Sequence, residues 1–338
     1  MKFFNSHEYI CHKINGQEVV LPYDENQDHE IWTTHAKRKL QELLGLPFES
    51  CQDDFQITGD VEEEDYRKIS FEFQSEEEYY IPCDLLIPLN VKKPVPVVIC
   101  LQGHSSGKHI SMGIEKFPGD MDTIVHSDFA IQALKEGYAA VVFDQRYMGE
   151  TGQDINGTPS CFAENRSMPT TLLGRTAIGE RVWDVKRVID VIETHFSSYI
   201  DVKKIICLGN SGGGTATFYS ACLDERIAIA IPSCAICTFE ESLLPVYHCD
   251  CNYIQGIRKY FNMGDMGCLI APRNLIQVNG IHDPLFRIGG ARECHETIKK
   301  AYKKLGAIAN CYMVEGDGAH QFFPEDVWSL VRKIVISK

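Results

Sequence analysis

Ile205-Ile206-Cys207-Leu208-Gly209-Asn210-Ser211-Gly212-Gly213-Gly214 is the stretch whose reading decides the fold. Its four leading apolar residues read as a buried strand, and Thr215 to Cys222 reads as a helix. Between them stands Gly-x-Ser-x-Gly. At that spacing the serine occupies a sharp, strained strand-to-helix turn, and glycines two residues before and after it let neighbouring backbone pack closely. The following helix aims its first N–H groups at a centre where negative charge develops. The bland alternative is a glycine-rich turn. A dinucleotide fingerprint would require glycine where Ser211 stands, so that reading fails.

A serine hydroxyl is a poor nucleophile at neutral pH. It needs a base to take its proton and a third group to orient that base. With this turn the partners follow in the order Ser, acid, His. The acid candidate is Asp283, in Leu275-Ile276-Gln277-Val278-Asn279-Gly280-Ile281-His282-Asp283-Pro284, where a strand ends and the carboxylate falls in the loop beyond it. An Asp before proline is also an ordinary turn residue. The base candidate is His320, in the glycine-rich loop Glu315-Gly316-Asp317-Gly318-Ala319-His320 after the last strand. His282 shares the loop of Asp283 and competes with His320 for the role of base. His295 is expected at the surface, and Asp317 is expected to shape the loop. The oxyanion of a tetrahedral intermediate needs two N–H donors. They are expected from the backbone of Gly212 and of His104, the latter in Gln102-Gly103-His104-Ser105-Ser106-Gly107.

Working outward, strand and helix signals alternate. Ile69–Phe73 and Ile81–Ile87 read as strands around Glu76-Glu77-Glu78. Val97 to Leu101 is continuously apolar, as in a strand buried on both faces. A helix from Ser127 to Glu136, a strand from Ala139 to Phe143, and a helix with Ile178, Val182, Val185, Ile189, Ile192 and Phe196 at helical spacing follow. After the serine come strands at 227–231, 275–278 and 311–314, a helix carrying Ala291, Cys294, Ile298, Ala301 and Leu305 on one stripe, and a terminal helix at 327–336. The pattern predicts a mostly parallel central sheet flanked by helices, with right-handed crossovers. Residues 1–65, with a helix at 31–44 closed by Gly45 and Pro47, are expected to pack on the core as an extension. Residues 66–338 are expected to form the main domain, with cap insertions at about 144–172 and 233–262. Glu62-Glu63-Glu64-Asp65 reads as a solvated turn.

The net charge is 33 − 47 = −14. Such a surface repels phosphate backbones and anionic lipid, so nucleic acid and membrane are not expected partners. No stretch approaches the length of a spanning helix. The start, Met1-Lys2-Phe3-Phe4-Asn5-Ser6, has no apolar run of signal-peptide length. The fourteen cysteines are therefore expected to be reduced thiols of a cytoplasmic protein. Cys234, Cys237, His248, Cys249 and Cys251 have the donors for zinc, but Cys-x-Cys is the less usual spacing. They are read as packing residues, and no metal or cofactor is expected. Tyr247, Tyr253, Tyr260 and Phe261 either line a pocket or pack the cap.

Taken together these residues resemble the α/β-hydrolase superfamily, and within it dienelactone-hydrolase-like and acetyl xylan esterase-like members. The resemblance runs from about residue 66 to the end. It includes Asp144-Gln145-Arg146-Tyr147-Met148-Gly149, similar to that family's Asp-x-Arg-x-x-Gly segment, and Arg181-x-x-Asp184-x-x-Arg187. It implies an α/β-hydrolase fold and cleavage of small-molecule esters, often short acyl groups on sugars, through an acyl-enzyme on Ser211. Two features depart from the pattern. Gln102-Gly103 replaces His-Gly at the oxyanion loop, and the nucleophile is serine where dienelactone hydrolases carry cysteine. The alternatives are a small serine peptidase of prolyl-oligopeptidase type and a non-catalytic binding protein on the same fold.

Overall fold

The computed structural model describes residues 2–152, 154–155, 158–159 and 167–336. Residues 153, 156–157 and 160–166, which fall in the first expected cap insertion, lie outside the described residues. Nine strands form one sheet: β1 Gln56–Glu62, β2 Tyr66–Glu76, β3 Tyr79–Pro88, β4 Val95–Leu101, β5 Ala139–Phe143, β6 Ile200–Asn210, β7 Ile227–Ser233, β8 Asn274–Gly280 and β9 Cys311–Gly316. Their spatial order is β1-β2-β3-β5-β4-β6-β7-β8-β9. The first three pair antiparallel, β3 joins β5 antiparallel, and every pair from β5–β4 to β8–β9 is parallel.

The apolar run of β4 is explained by what covers it. Val95, Val97, Ile99 and Leu101 face one core, while Val98 and Cys100 face the other. The first core is closed by α2 His29–Leu44, α4 Ala177–His195, α5 Gly212–Leu223 and α6 Ile288–Lys304; the second by α3 Phe129–Lys135 and α7 Pro324–Ile336. Each helix has local reasons to form. In α2 the Asp28 side chain accepts the Ile31 N–H at 2.9 Å, Gly45 ends the helix at φ 77°, and Trp32, Ala36, Leu40 and Leu44 recur every fourth residue on the buried face. In α4 the Thr176 hydroxyl accepts the Gly179 N–H at 3.0 Å.

Two elements exceed the sequence expectation. Helix α1, Ser6–Asn15, buries no residue, and β1 is exposed along nearly its whole length, with a bulge between Ile57 and Gly59. Through β1 the sheet begins ten residues before residue 66. The turn at 63–65 is exposed. Among the described residues no helix is long and apolar enough to cross a membrane. Residues 234–273 carry short helical turns at Asp250–Asn252, Ile257–Tyr260 and Met263–Gly267. Part of this segment covers the carboxyl edge of the sheet, where open α/β sheets gather their ligands. The Ser167 hydroxyl donates to Asp250 at 2.6 Å and ties the end of the earlier insertion to it.

Candidate active site

Ser211 joins β6 to α5 at φ 56° and ψ −122°, a conformation disfavoured for a residue with a Cβ. The surroundings hold it there. Its N–H donates to the Ser233 carbonyl at 2.9 Å, its own carbonyl accepts from Thr215 N–H at 2.8 Å, and Asn210 pairs with the Ser233 hydroxyl at 2.8 Å. The flanking glycines are a steric necessity. A Cβ at Gly213 would strike the Leu101 carbonyl oxygen, and one at Gly209 would strike Gly213 and lie 2.6 Å from the same oxygen. Strand, turn and helix therefore cross at a point where only hydrogen fits.

Asp283 lies three residues beyond β8. Its Oδ1 accepts the N–H groups of Leu285 at 2.8 Å and Phe286 at 3.1 Å, and its Oδ2 meets His320 Nδ1 at 2.8 Å. The carboxylate side chain is fully buried. Burial raises its pKa, but the bonds from His320, Leu285 and Phe286 outweigh that and hold it below the ordinary carboxylate range. The loops bearing acid and imidazole are joined by backbone: Ile281 N–H to Gly316 carbonyl and His282 N–H to Gly318 carbonyl, both 3.0 Å. Gly280 is required where a Cβ would meet the Ala319 carbonyl.

With Nδ1–H donating to Asp283, His320 Nε2 is the free lone-pair nitrogen. It is buried and has no hydrogen-bond partner among the described residues. The His320 ring lines a cavity of about 350 Å³ together with Ser211, Gly212, His104 and residues of the cap. The sequence-predicted Ser211, Gly212, His104 and His320 thus share one cavity, with Asp283 behind the imidazole. Gly103 passes so close that a Cβ there would lie 3.2 Å from the Ser211 Cβ, which brings the His104 backbone beside the hydroxyl. The His104 imidazole itself turns across Gly212 towards the cap, with Nε2 3.6 Å from Cys251 Sγ.

The loop Gln102 to Gly107 is pinned from below by Asp144. Its carboxylate accepts from Gln102 Nε2 at 3.0 Å, Lys108 N–H at 2.6 Å and Glu150 N–H at 3.0 Å. Gln102 therefore fixes the loop from within. Asp120 holds the loop's other end, accepting from Ser106 Oγ, His109 Nε2 at 2.9 Å, and the Lys116 and Phe117 N–H groups at 2.9 and 2.8 Å. Burial would raise Asp120, but these bonds prevail and lower it to about 2. A depressed folded pKa stabilises the protein fully above the unfolded value of about 4 and loses that contribution as pH falls through the folded one. The stability gap between wild type and Asp120→Asn, read from urea midpoints, is expected to be constant near neutrality and to close as the pH falls from about 4 towards 2.

The remaining predicted residues disperse. His282 is mostly exposed and pairs with exposed Asp317 at 3.2 Å, away from the cavity. His295 is not at the surface: it is buried on α6 with Nδ1 3.2 Å from Gln277 Oε1. Helical drift turns it towards the sheet beside Cys294, and Gln277 supplies the polar partner that makes burial tolerable. Tyr247 lines the cavity, Tyr253 lines a separate larger hollow, and Phe261 is core. The five-residue cysteine–histidine set does not converge. Cys237 donates to the Arg287 carbonyl at 3.4 Å, Cys234 lies by Asp283 and His320, and Cys249 and Cys251 reach His104. The sequence reading missed Phe286 and Asn252, and it took His248 for a packing residue rather than for part of this cavity. The Phe286 ring lies nearly parallel to His320, at 5.9 Å and 15°, and His248 stands edge-on to Phe286 at 5.1 Å. Burial first, then nearby His320, lowers the His248 pKa. Their only sequence signal is nearness to Asp283 and to the non-periodic cap.

The geometry offers a serine at a strained strand-to-helix turn, an imidazole fixed by a carboxylate, and a cavity that both line. Comparison with known proteins adds the following. A family model described as the Abhydrolase family matches residues 20–306. YtaP of Bacillus subtilis (strain 168), named as a hydrolase, is 25% identical over 246 residues, 71% of this chain and 78% of its own. A Bacteroides fragilis NCTC 9343 structure described as an acetyl xylan esterase is similar at TM-score 0.83 and 19% identity, covering 98% of this chain and 96% of its own. A glucuronoyl esterase of carbohydrate esterase family 15 from Caldicellulosiruptor kristjansonii is similar at TM-score 0.63 and 17% identity, covering 89% and 83%. At such identities the structural likenesses speak to the fold.

Proposed function

Since the chain belongs to the Abhydrolase family, we propose that it is a serine esterase cleaving short-acyl carboxylic esters, with acylated carbohydrates as the substrate class. The observation that carries this reading is the buried, unpartnered Nε2 of His320, on a ring that lines the same cavity as Ser211. An imidazole nitrogen left without a partner in that position is a base awaiting a proton.

In this reading His320 Nε2 takes the Ser211 proton as Oγ attacks the ester carbonyl carbon. Asp283, already ionised, stabilises the imidazolium. The N–H groups of Gly212 and His104 hold the oxyanion, helped by the N-terminus of α5. Collapse expels the alcohol, which takes the proton from His320. Water, deprotonated by the same nitrogen, then releases the acid and restores Ser211. No lysine or arginine is among the described residues lining the cavity, so a neutral acyl group suits it better than one bearing a free carboxylate. The size of about 350 Å³ fits a small acyl group and part of its alcohol. The names of the two similar structures, an acetyl xylan esterase and a glucuronoyl esterase, support a sugar-ester substrate. A cytoplasmic setting goes with the same reading.

A fluorophosphonate probe is expected to label one site, Ser211, in the folded protein, and labelling should vanish on heat denaturation. Turnover of p-nitrophenyl acetate and acetylated sugars should exceed that of amino-acid anilides. An unlabelled Ser211 in folded protein sinks the esterase reading, and faster anilide cleavage replaces it with a peptidase.

A further inference from the structure

His104 reaches the cap through a contact that ester cleavage does not require. Its Nε2, Cys249 Sγ and Cys251 Sγ all lie within 4.8 Å of one another. The histidine comes from the loop after β4 and the two cysteines from the cap, so the tertiary fold brings them together. Cys251 is buried and Cys249 half-buried. His104, Cys249, Ser211 and Gly212 line the same cavity.

Tetrahedral zinc bonds of about 2.3 Å to sulfur and about 2.0–2.1 Å to nitrogen imply an S···N edge of about 3.6 Å. The Cys251 Sγ to His104 Nε2 separation is 3.6 Å. Two thiolates and an imidazole form a soft donor set, which selects Zn²⁺ or Cu⁺ over Mg²⁺ and Ca²⁺. Cys-x-Cys supplies both sulfurs from one short turn. Asp250, between them, has one carboxylate oxygen taken by Ser167 at 2.6 Å and the other by the Cys249 thiol at 3.1 Å. Loss of the Cys249 proton on binding frees that second oxygen, so the fourth coordination position is left to it or to solvent in the cavity.

We propose that His104, Cys249 and Cys251 form a binding site for a thiophilic d¹⁰ cation of the Zn²⁺ class, and that filling it shuts the neighbouring active site. Binding releases the two thiol protons and changes no oxidation state. The ion sits at the cap end of the His104 ring, on the wall of the cavity that also holds Ser211 and Gly212, and it clamps the oxyanion loop to the cap. The inhibitory half rests on the esterase reading; the binding half does not.

The test is a titration of chelator-stripped protein with Zn²⁺ against a chromophoric competitor, alongside turnover of p-nitrophenyl acetate. One equivalent should bind, and the Cys249→Ser/Cys251→Ser double variant should bind at least about 100-fold more weakly. Cys234→Ser should bind as wild type does. It probes the other group of donor atoms, Cys234, Asp283 and His320, also within 4.8 Å. Wild-type turnover should fall on the order of 100-fold with the bound ion and recover with EDTA. The double variant, scored against its own metal-free rate, should resist the same Zn²⁺ concentration. Should the double variant fail to fold, Cd²⁺ decides on wild type: thiolate-to-cadmium absorption for two sulfurs per ion supports the site, and its absence overturns it. Equal affinity in the double variant, or loss confined to Cys234→Ser, overturns the assignment. Binding without inhibition in an active esterase overturns the closure. A protein that binds zinc but cleaves no ester leaves the metal site standing and removes the esterase reading instead.

Discussion

Ser211→Ala is expected to lower kcat/KM for p-nitrophenyl acetate by about 10⁴-fold or more, with the fold intact. The size of the effect follows from what is removed. Without Oγ no acyl-enzyme forms, and the other groups act as one unit with it, so only oxyanion stabilisation and binding persist. The fold should tolerate the change. The bonds that hold residue 211 at φ 56° run through its N–H and carbonyl, to Ser233 and from Thr215, and alanine keeps both. The thermal midpoint should therefore stay within about 2 °C of wild type. A variant that retains wild-type turnover would falsify the nucleophile assignment. A variant that loses activity and stability together would show that the hydroxyl is needed for folding.

The second large effect lies beneath the site. Arg146 makes a two-pronged bond to Asp184, with Nε and one terminal nitrogen each 2.8 Å from a carboxylate oxygen. It also lies 2.6 Å from Glu76 and 3.8 Å from Glu180, and its guanidinium stands 4.3 Å over the Tyr79 ring. Side-chain exposure is 8% for Arg146 and 1% for Asp184, so solvent does not screen the pair. Replacing Arg146 by methionine fills similar volume but strands Asp184 among other carboxylates, with the Ser75 hydroxyl at 2.7 Å as its remaining side-chain donor. Breaking a buried pair on one side costs about 3–5 kcal/mol. Urea unfolding of Arg146→Met should show that loss as a lower midpoint with an unchanged slope. Burial already pushes Asp184 upward, against the pull of Arg146. In the variant the deficit should narrow as pH falls, because a neutral carboxyl is cheaper to bury. Adding Asp184→Asn should recover part of the loss at neutral pH. A midpoint unchanged by Arg146→Met would show that Arg175, 2.9 Å from Glu76, suffices to balance the cluster.

The parts legible in the sequence are those whose chemistry forbids substitutes. Gly209 and Gly213 are spaced as they are because backbone occupies the place of their side chains, and that constraint is visible as a pattern. Val97 to Leu101 reads as doubly buried because alternate residues enter two cores. Asp283 and His320 could be picked by order along the chain, since each follows a strand at the carboxyl edge. Other parts leave no such trace. Strand β1, with Gly59 and Asp60 and little burial, is held by pairing with β2 rather than by apolar content. Helix α1 has no buried residue to mark a face. His248, Phe286 and Asn252 belong to segments whose shape is set by what they touch, so no period announces them. His295 misled for a related reason: being off the apolar stripe implies exposure only where no polar partner waits inside, and Gln277 does. The family likeness of Asp144-x-Arg146 and of Arg181-x-x-Asp184 could be noticed in the chain, but not that Arg146 and Asp184 bind each other.

The two backbone bonds from Ile281 to Gly316 and from His282 to Gly318 extend the parallel β8–β9 ladder past the edge of the sheet. Acid and imidazole are consequently mounted on a single rigid bracket, while the hydroxyl arrives on a separate mount from β6. Substitution drift among the exposed side chains at 282 and 317 leaves the bracket's alignment untouched. A shift of β9 by one residue against β8 would instead rotate the imidazole out of the cavity even with Ser211, Asp283 and His320 all still encoded.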